Sequence, residues 1–226
     1  MAIALKRTNT IANNGIKILV HSGSGDGKTT LMGTAPNPII ISAESGLLSL
    51  RGKDIPYIEV HNMDELYEAY NYVISPEGQQ FETICLDSIS EIAEIVLAKE
   101  KEKSKDPRQA YGTLIDVYLK LLRCFRDIPN KNVVFSCKRE RLENSDGTTM
   151  FMPSLPGKQA SNQTAYFFDE VFTFRFFQNQ ETGKLERWLQ TSSDGMYLAK
   201  DRSGCLAMFE RPDLTEIINK IKGENV

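Results

Sequence analysis

The stretch Ile16-Lys-Ile-Leu-Val-His-Ser22-Gly23-Ser24-Gly25-Asp26-Gly27-Lys28-Thr29-Thr30-Leu-Met32 decides the reading of this chain. A short apolar, β-branched run meets a glycine-rich turn and then the start of a helix. Glycine tolerates backbone conformations that let successive N–H groups wrap an anion. The N-terminus of the following helix adds partial positive charge. In the pattern G-x-x-x-x-G-K-S/T, Lys28 reaches the outer phosphates and the Thr29 hydroxyl ligates magnesium. The one departure is Ser22 in place of the first glycine. Serine is small, and Gly23 and Gly25 keep the loop pliable. Ser22 through Thr30 are therefore the expected cradle of a nucleoside triphosphate, with ATP and magnesium as the ligands.

Outward from the loop, strand and helix signals alternate. Pro38-Ile-Ile-Ile-Ser-Ala reads as a buried strand, Ile55 to Val60 as a short one, and Met63 to Ile74 as a helix capped by Asn62. Thr83-Ile-Cys-Leu-Asp87 is an apolar strand ending in a carboxylate, followed by a helix from Ser88 to about Lys103. Ser104 to Gly112, with Pro107, reads as a polar loop. Thr113 to Asp127 is an amphipathic helix and Asn132 to Ser136 a buried strand. Such alternation predicts a mostly parallel central sheet flanked by helices. Beyond residue 138 the style changes to C-terminal β-hairpins: Asn144-Ser-Asp-Gly147 is a hairpin tip, and Val171 to Phe177 and Leu185 to Thr191 flank a second. Trp188 lies in the latter and reads as packing. Leu214 to Ile221 forms a closing helix. With no repeat or linker in 226 residues, one domain over 1–226 is expected.

The net charge of −3 excludes a protein that coats nucleic acid by bulk electrostatics, so any such contact must be local. Cys85, Cys124, Cys137 and Cys205 are widely spaced and read as reduced core thiols. Neither a secretory run nor a bilayer-crossing run is present. A cytoplasmic chain, with no membrane partner, is the expectation.

Two carboxylates complete the expected site. Asp87 ends a strand of a parallel sheet, where ligands lie outside the carboxyl ends, and its carboxylate would hold magnesium with Thr29. Glu44 also ends a buried strand, placed to orient an attacking water; a solvated or capping role is the alternative for it.

The order of these parts resembles a known family. Ile-Ile-Ile-Ser-Ala-Glu44-Ser-Gly is similar to the strand-then-glutamate segment of RecA and its relatives, in which the glutamate activates water. Ile-Cys-Leu-Asp87-Ser88 resembles their magnesium strand, and Asn132-Val-Val-Phe-Ser136-Cys-Lys138 the strand whose polar end senses the γ-phosphate. Leu198-Ala-Lys200-Asp-Arg202-Ser-Gly204 resembles the lysine/arginine finger that RecA-like and DnaB-like ATPases extend into a neighbouring subunit's nucleotide. The compact form, with Leu155-Pro-Gly-Lys158 before a Phe-Asp169-Glu-Val strand, looks like the phage-encoded RecA-core single-strand annealing proteins of the Sak group.

The resemblance implies a RecA-like P-loop ATPase with Lys28, Glu44, Lys200 and Arg202 as catalytic residues and hydrolysis stimulated by DNA. It also implies recombination function, in annealing or strand handling, in the host cytoplasm if the chain is phage-encoded. The implied assembly is a homo-oligomeric ring or filament with nucleotide at the subunit interface. Implied partners are single-stranded DNA and a single-strand DNA-binding protein. By position, two mobile loops would hold DNA, the first through Lys103, Lys105, Arg108 and Tyr111, the second through Arg139, Arg141 and Lys158. Two other readings stay open: a P-loop switch protein such as a helicase loader, and a small-molecule kinase, against which Glu44 argues.

Overall fold

The computed structural model describes residues 14–103, 106–143, 147–155 and 164–224. Strands β1 (Lys17–Ser22), β2 (Pro38–Ser42), β3 (Tyr57–Glu59), β4 (Thr83–Asp87), β5 (Asn132–Glu143) and β7 (Glu170–Gln178) pair in parallel in the order β7-β1-β5-β4-β2-β3. Strands β6 (Thr149–Ser154), β8 (Leu185–Gln190), β9 (Lys200–Asp201) and β10 (Phe209–Glu210) add antiparallel pairings at the margins. The expected mostly parallel sheet with C-terminal hairpins is present. One strand, β5, separates the phosphate-loop strand β1 from the Asp87 strand β4.

Both faces of the sheet are buried, and the pleat assigns alternate residues to each. Leu19, Ile39, Ile41, Leu86 and Phe135 pack beneath helices α2 (Met63–Ile74), α3 (Ile89–Lys103) and α4 (Pro107–Arg126). Ile18, Val20, Ile40 and Val134 pack on the other face with α1 (Lys28–Met32) and α5 (Leu214–Lys222). This explains why the strands read as continuous apolar runs and not as alternating ones. The Asn62 side chain caps α2, accepting from the N–H groups of Asp64 and Glu65 at 3.0 Å each.

Two loop expectations are corrected. Of the span read as a polar loop through Gly112, residues 107–112 are the first turns of α4. Asp106 is its N-cap, accepting from Arg108 N–H at 2.9 Å, and Pro107 stands in the first turn, where its missing N–H costs nothing. The proline marks a helix start, and Asp-Pro was the signal. The second span is also regular: β5 runs on to Glu143 and pairs with β6 from Lys138↔Ser154 to Glu143↔Thr149. The expected tip at residues 144–147 lies outside the described residues except for Gly147. Cys205 is exposed and so is no core thiol, whereas Cys85 and Cys137 are buried. Among the described residues no helix is long and apolar enough to cross a membrane.

Candidate nucleotide site

The phosphate loop leaves β1 at Ser22 and delivers the chain to α1 through Gly25 (φ 77°) and Gly27 (φ 118°), left-handed conformations that side chains resist. Helix α1 has only five residues, so the loop's own N–H groups contribute more to anion binding than a helix dipole does. The loop is held closed by its own atoms. Gly23 N–H donates to Asp26 Oδ2 at 2.7 Å, and Lys28 Nζ donates to the Gly23 carbonyl at 2.9 Å and the Ser22 carbonyl at 3.3 Å. A cleft of about 680 Å³ opens over it, lined by Ser22 to Gly25, Gly27 to Thr30, Glu44, Gly46, Ser49, Lys138, Arg139 and Arg187.

The sheet order brings the carboxylates to this cleft. Asp87 is 2% exposed. Its Oδ2 accepts from Thr29 Oγ1 at 2.6 Å, and its Oδ1 from Ser136 Oγ at 2.5 Å on the intervening strand β5. A hydroxyl and a carboxylate oxygen in contact beside a phosphate loop are the hard oxygen donors that magnesium takes, leaving its other positions to phosphates and water. Thr29 and Asp87 therefore fit the ion. Glu44 follows β2, faces the cleft, and accepts from the Ser88 hydroxyl, which fixes its carboxylate. Strand register explains the proximity: Ser42 is the partner of Asp87, and both Ala43 N–H and Glu44 N–H donate to the Asp87 carbonyl.

Behind the loop, His21 is fully buried and its Nε2 lies 2.6 Å from the Leu198 carbonyl. Burial first, and then the nearby Arg139 and Lys28 cations, lower its pKa to about 4 against the pull of that carbonyl, so the ring is neutral.

The remaining expected residues divide. Arg139 lines the cleft, pairing with Asp26 at 3.8 Å and lying over the rings of Phe151 and Tyr197 at 5.2 and 5.5 Å. Its ion-pair partner is thus a phosphate-loop residue, and its ring contacts are with β6 and Tyr197. Arg141 lies on the β5–β6 hairpin, paired with Glu143 at 3.0 Å. Lys103 ends α3, paired with Glu100 at 2.6 Å, and Arg108 and Tyr111 are exposed on α4. Lys105 and Lys158 lie outside the described residues.

Lys200 and Arg202 are not at this cleft in their own chain. Strand β9 pairs with the start of β7, at the opposite end of the sheet. Lys200 Nζ donates to the carbonyls of Ala165 and Phe168 at 2.8 and 2.6 Å, and Arg202 pairs with Asp169 at 2.9 Å. Trp188 packs in its hairpin opposite Arg175, half-buried. Arg187 stands in no motif and is not legible in the sequence; Asp26 lies within the loop motif, but its clamp on Gly23 N–H is not legible there.

Fold and cleft define a P-loop ATPase. The chain belongs to the AAA domain family, whose profile matches residues 14–203. No curated protein matches it. Among solved structures it is similar to a KaiC-like protein, PH0186, from the hyperthermophilic archaeon Pyrococcus horikoshii OT3. The two are 13% identical, with a TM-score of 0.41 over 78% of this chain and 77% of the other.

Proposed function

We propose that this chain hydrolyses ATP with magnesium and couples hydrolysis to handling of single-stranded DNA, in annealing or a related recombination step. The observation that carries the ATPase part is the Thr29–Asp87–Ser136 cluster beside the phosphate loop, with Glu44 lining the same cleft as Thr29. Lys28 and the loop N–H groups hold the outer phosphates. The carboxylate of Glu44, oriented by Ser88, accepts a proton from the attacking water. Magnesium, held by Thr29 and Asp87, would neutralise charge on the phosphates.

The DNA part is supported by the β5–β6 hairpin. It starts beside the cleft at Lys138 and Arg139 and carries Arg141, exposed on its flank. Arg108 and Tyr111 add an exposed cation and ring on α4. Such groups track phosphates and stack on bases without sequence preference. Lys200 and Arg202 belong to the same proposal as a finger acting on a neighbouring subunit in a ring or filament. Their position far from their own cleft suits action in trans, and engagement would first have to free them from Ala165, Phe168 and Asp169.

The test is phosphate release from ATP with and without single-stranded DNA and without any acceptor, with particle size read in parallel. DNA-stimulated release is expected. Turnover that requires a small-molecule acceptor would favour a kinase, and turnover indifferent to DNA would favour a switch protein. For the finger, Lys28→Ala subunits mixed with Arg202→Ala subunits should recover part of the activity; co-assembled mixtures without recovery would rule it out.

A further inference from the structure

We infer that Arg187 is a phosphate-binding residue that acts in cis, gripping the phosphate chain of the bound nucleotide from the side of Gly27; this rests on the reading of the cleft as an ATP site. Among the described residues, four cationic side chains line the cleft: Lys28, Lys138, Arg139 and Arg187. Three are engaged. Lys28 holds loop carbonyls, Lys138 pairs with Glu91 at 2.9 Å, and Arg139 pairs with Asp26. Among the described residues Arg187 has no side-chain hydrogen bond and no ion pair. Yet it stands directly beside the loop: a Cβ built on Gly27 would lie 3.4 Å from its Nη1.

Its position is set by register, not by a flexible loop. Strand β8 pairs with β7, with Leu189 opposite Phe174 and Arg187 opposite Phe176, and β7 pairs with β1. Alternate residues share a face. Leu189 is buried in the cluster that contains Leu31, Met32 and Phe174. Two residues outward on the same face, Arg187 leaves that core where the loop turns into α1. A guanidinium offers a planar fork of donors that matches phosphate oxygens and keeps its charge at any working pH. An unengaged cation against a phosphate loop, carried by the loop's own sheet, is placed to receive an anion as soon as one enters.

The experiment is calorimetric binding of three probes, the β,γ-imido analogue of ATP with magnesium, ADP with magnesium, and adenosine, to the wild type, Arg187→Ala, Arg187→Lys and Lys28→Ala. Thermal unfolding of each variant serves as the control for folding. Arg187→Ala is expected to weaken the triphosphate analogue about tenfold, as loss of one charged hydrogen-bonding group does. Adenosine binding should not change, and Arg187→Lys should fall between. The loss should be the same at every protein dilution, because the contact lies within one chain. Unchanged affinity for the analogue overturns the inference, as does an equal loss for adenosine, which would mean base or ribose stacking. A loss that disappears on dilution overturns it too, by moving the contact to a subunit interface. A wild type that binds the analogue no better than Lys28→Ala overturns the ATP reading itself, a result distinct from the others.

Discussion

The two ends of the β1–β7 pair carry similar numbers of charged side chains and treat them in opposite ways. At the end where β1 runs into the phosphate loop, cations and carboxylates line an open cleft, and several of their bonds are to loop atoms that a ligand would replace. At the other end, Lys17, Asp169, Glu170, Lys200, Asp201 and Arg202 are knitted to one another and to main-chain groups. Burial governs titration at both ends, with contrary outcomes. His21 behind the loop is held neutral by burial and nearby cations, its pKa about 4. Glu170 is pushed up to about 8 by burial and then by the neighbouring Asp201. The contrast teaches that charge alone does not mark a site: a functional end leaves groups available, whereas a structural end commits most of its own to the frame.

Substitutions at the open end should cost activity and not folding. Glu44→Gln should bind ATP and hydrolyse it about 10²–10⁴-fold more slowly, since the amide keeps the shape but accepts no proton. Loss of ATP binding in a nucleotide titration would instead make Glu44 structural. Lys28→Ala should lower turnover by about 10²–10³, the scale for removing one fixed donor from a developing charge, with an unchanged unfolding midpoint. Equal turnover by variant and parent would refute the phosphate-loop assignment.

At the closed end the order reverses. Lys200→Met should lower unfolding free energy by about 2–3 kcal/mol in urea, because two carbonyls lose a charged donor. A variant of full stability would show that Lys200 is not part of the frame.

The two titrations oppose each other in sign. Between pH 7 and 5 the unfolded histidine takes a proton that buried His21 refuses, so the fold loses about 2 kcal/mol from that group. Over the same interval folded Glu170, already largely protonated, gains against an unfolded carboxyl that stays ionised, by about 2 kcal/mol. The wild type should therefore be nearly flat in stability, and Glu170→Gln should become acid-labile by about 2 kcal/mol. Chemical denaturation at the two pH values checks this; a flat Glu170→Gln profile would remove one of the two shifts.

The smallest effect should be that of Arg202→Ala on the stability of the isolated chain, about 0.5 kcal/mol or less, because its pair with Asp169 is exposed. A large loss of turnover in the same variant would sharpen the comparison, by showing that the closed end opens to serve a neighbour.

Residues 16–32 by themselves determined the strand, the loop and the position of Lys28 and Thr29, because a phosphate loop is a local structure built from consecutive N–H groups and glycines. The carboxylates at Asp87 and Glu44 were legible for a related reason: in a parallel sheet the carboxyl ends of strands share one edge, so a terminal acid is placed by its strand alone. The helix beginning at Pro107 was also written in the sequence, as an aspartate cap before a proline, within a span whose polar residues read as a loop.

Only the tertiary structure decided what depends on which strands are neighbours. Sheet order placed β5 between β1 and β4, so that Ser136 came to bridge to Asp87. The extension of β5 into a hairpin carried Arg139 to Asp26 of the phosphate loop. Strand β9 took Lys200 and Arg202 to the far end, and β8 laid Arg187 against Gly27. Each of these joins residues about thirty positions or more apart in the chain. No local pattern encodes such a meeting, because strand order is settled by how buried faces and edges fit across the whole sheet.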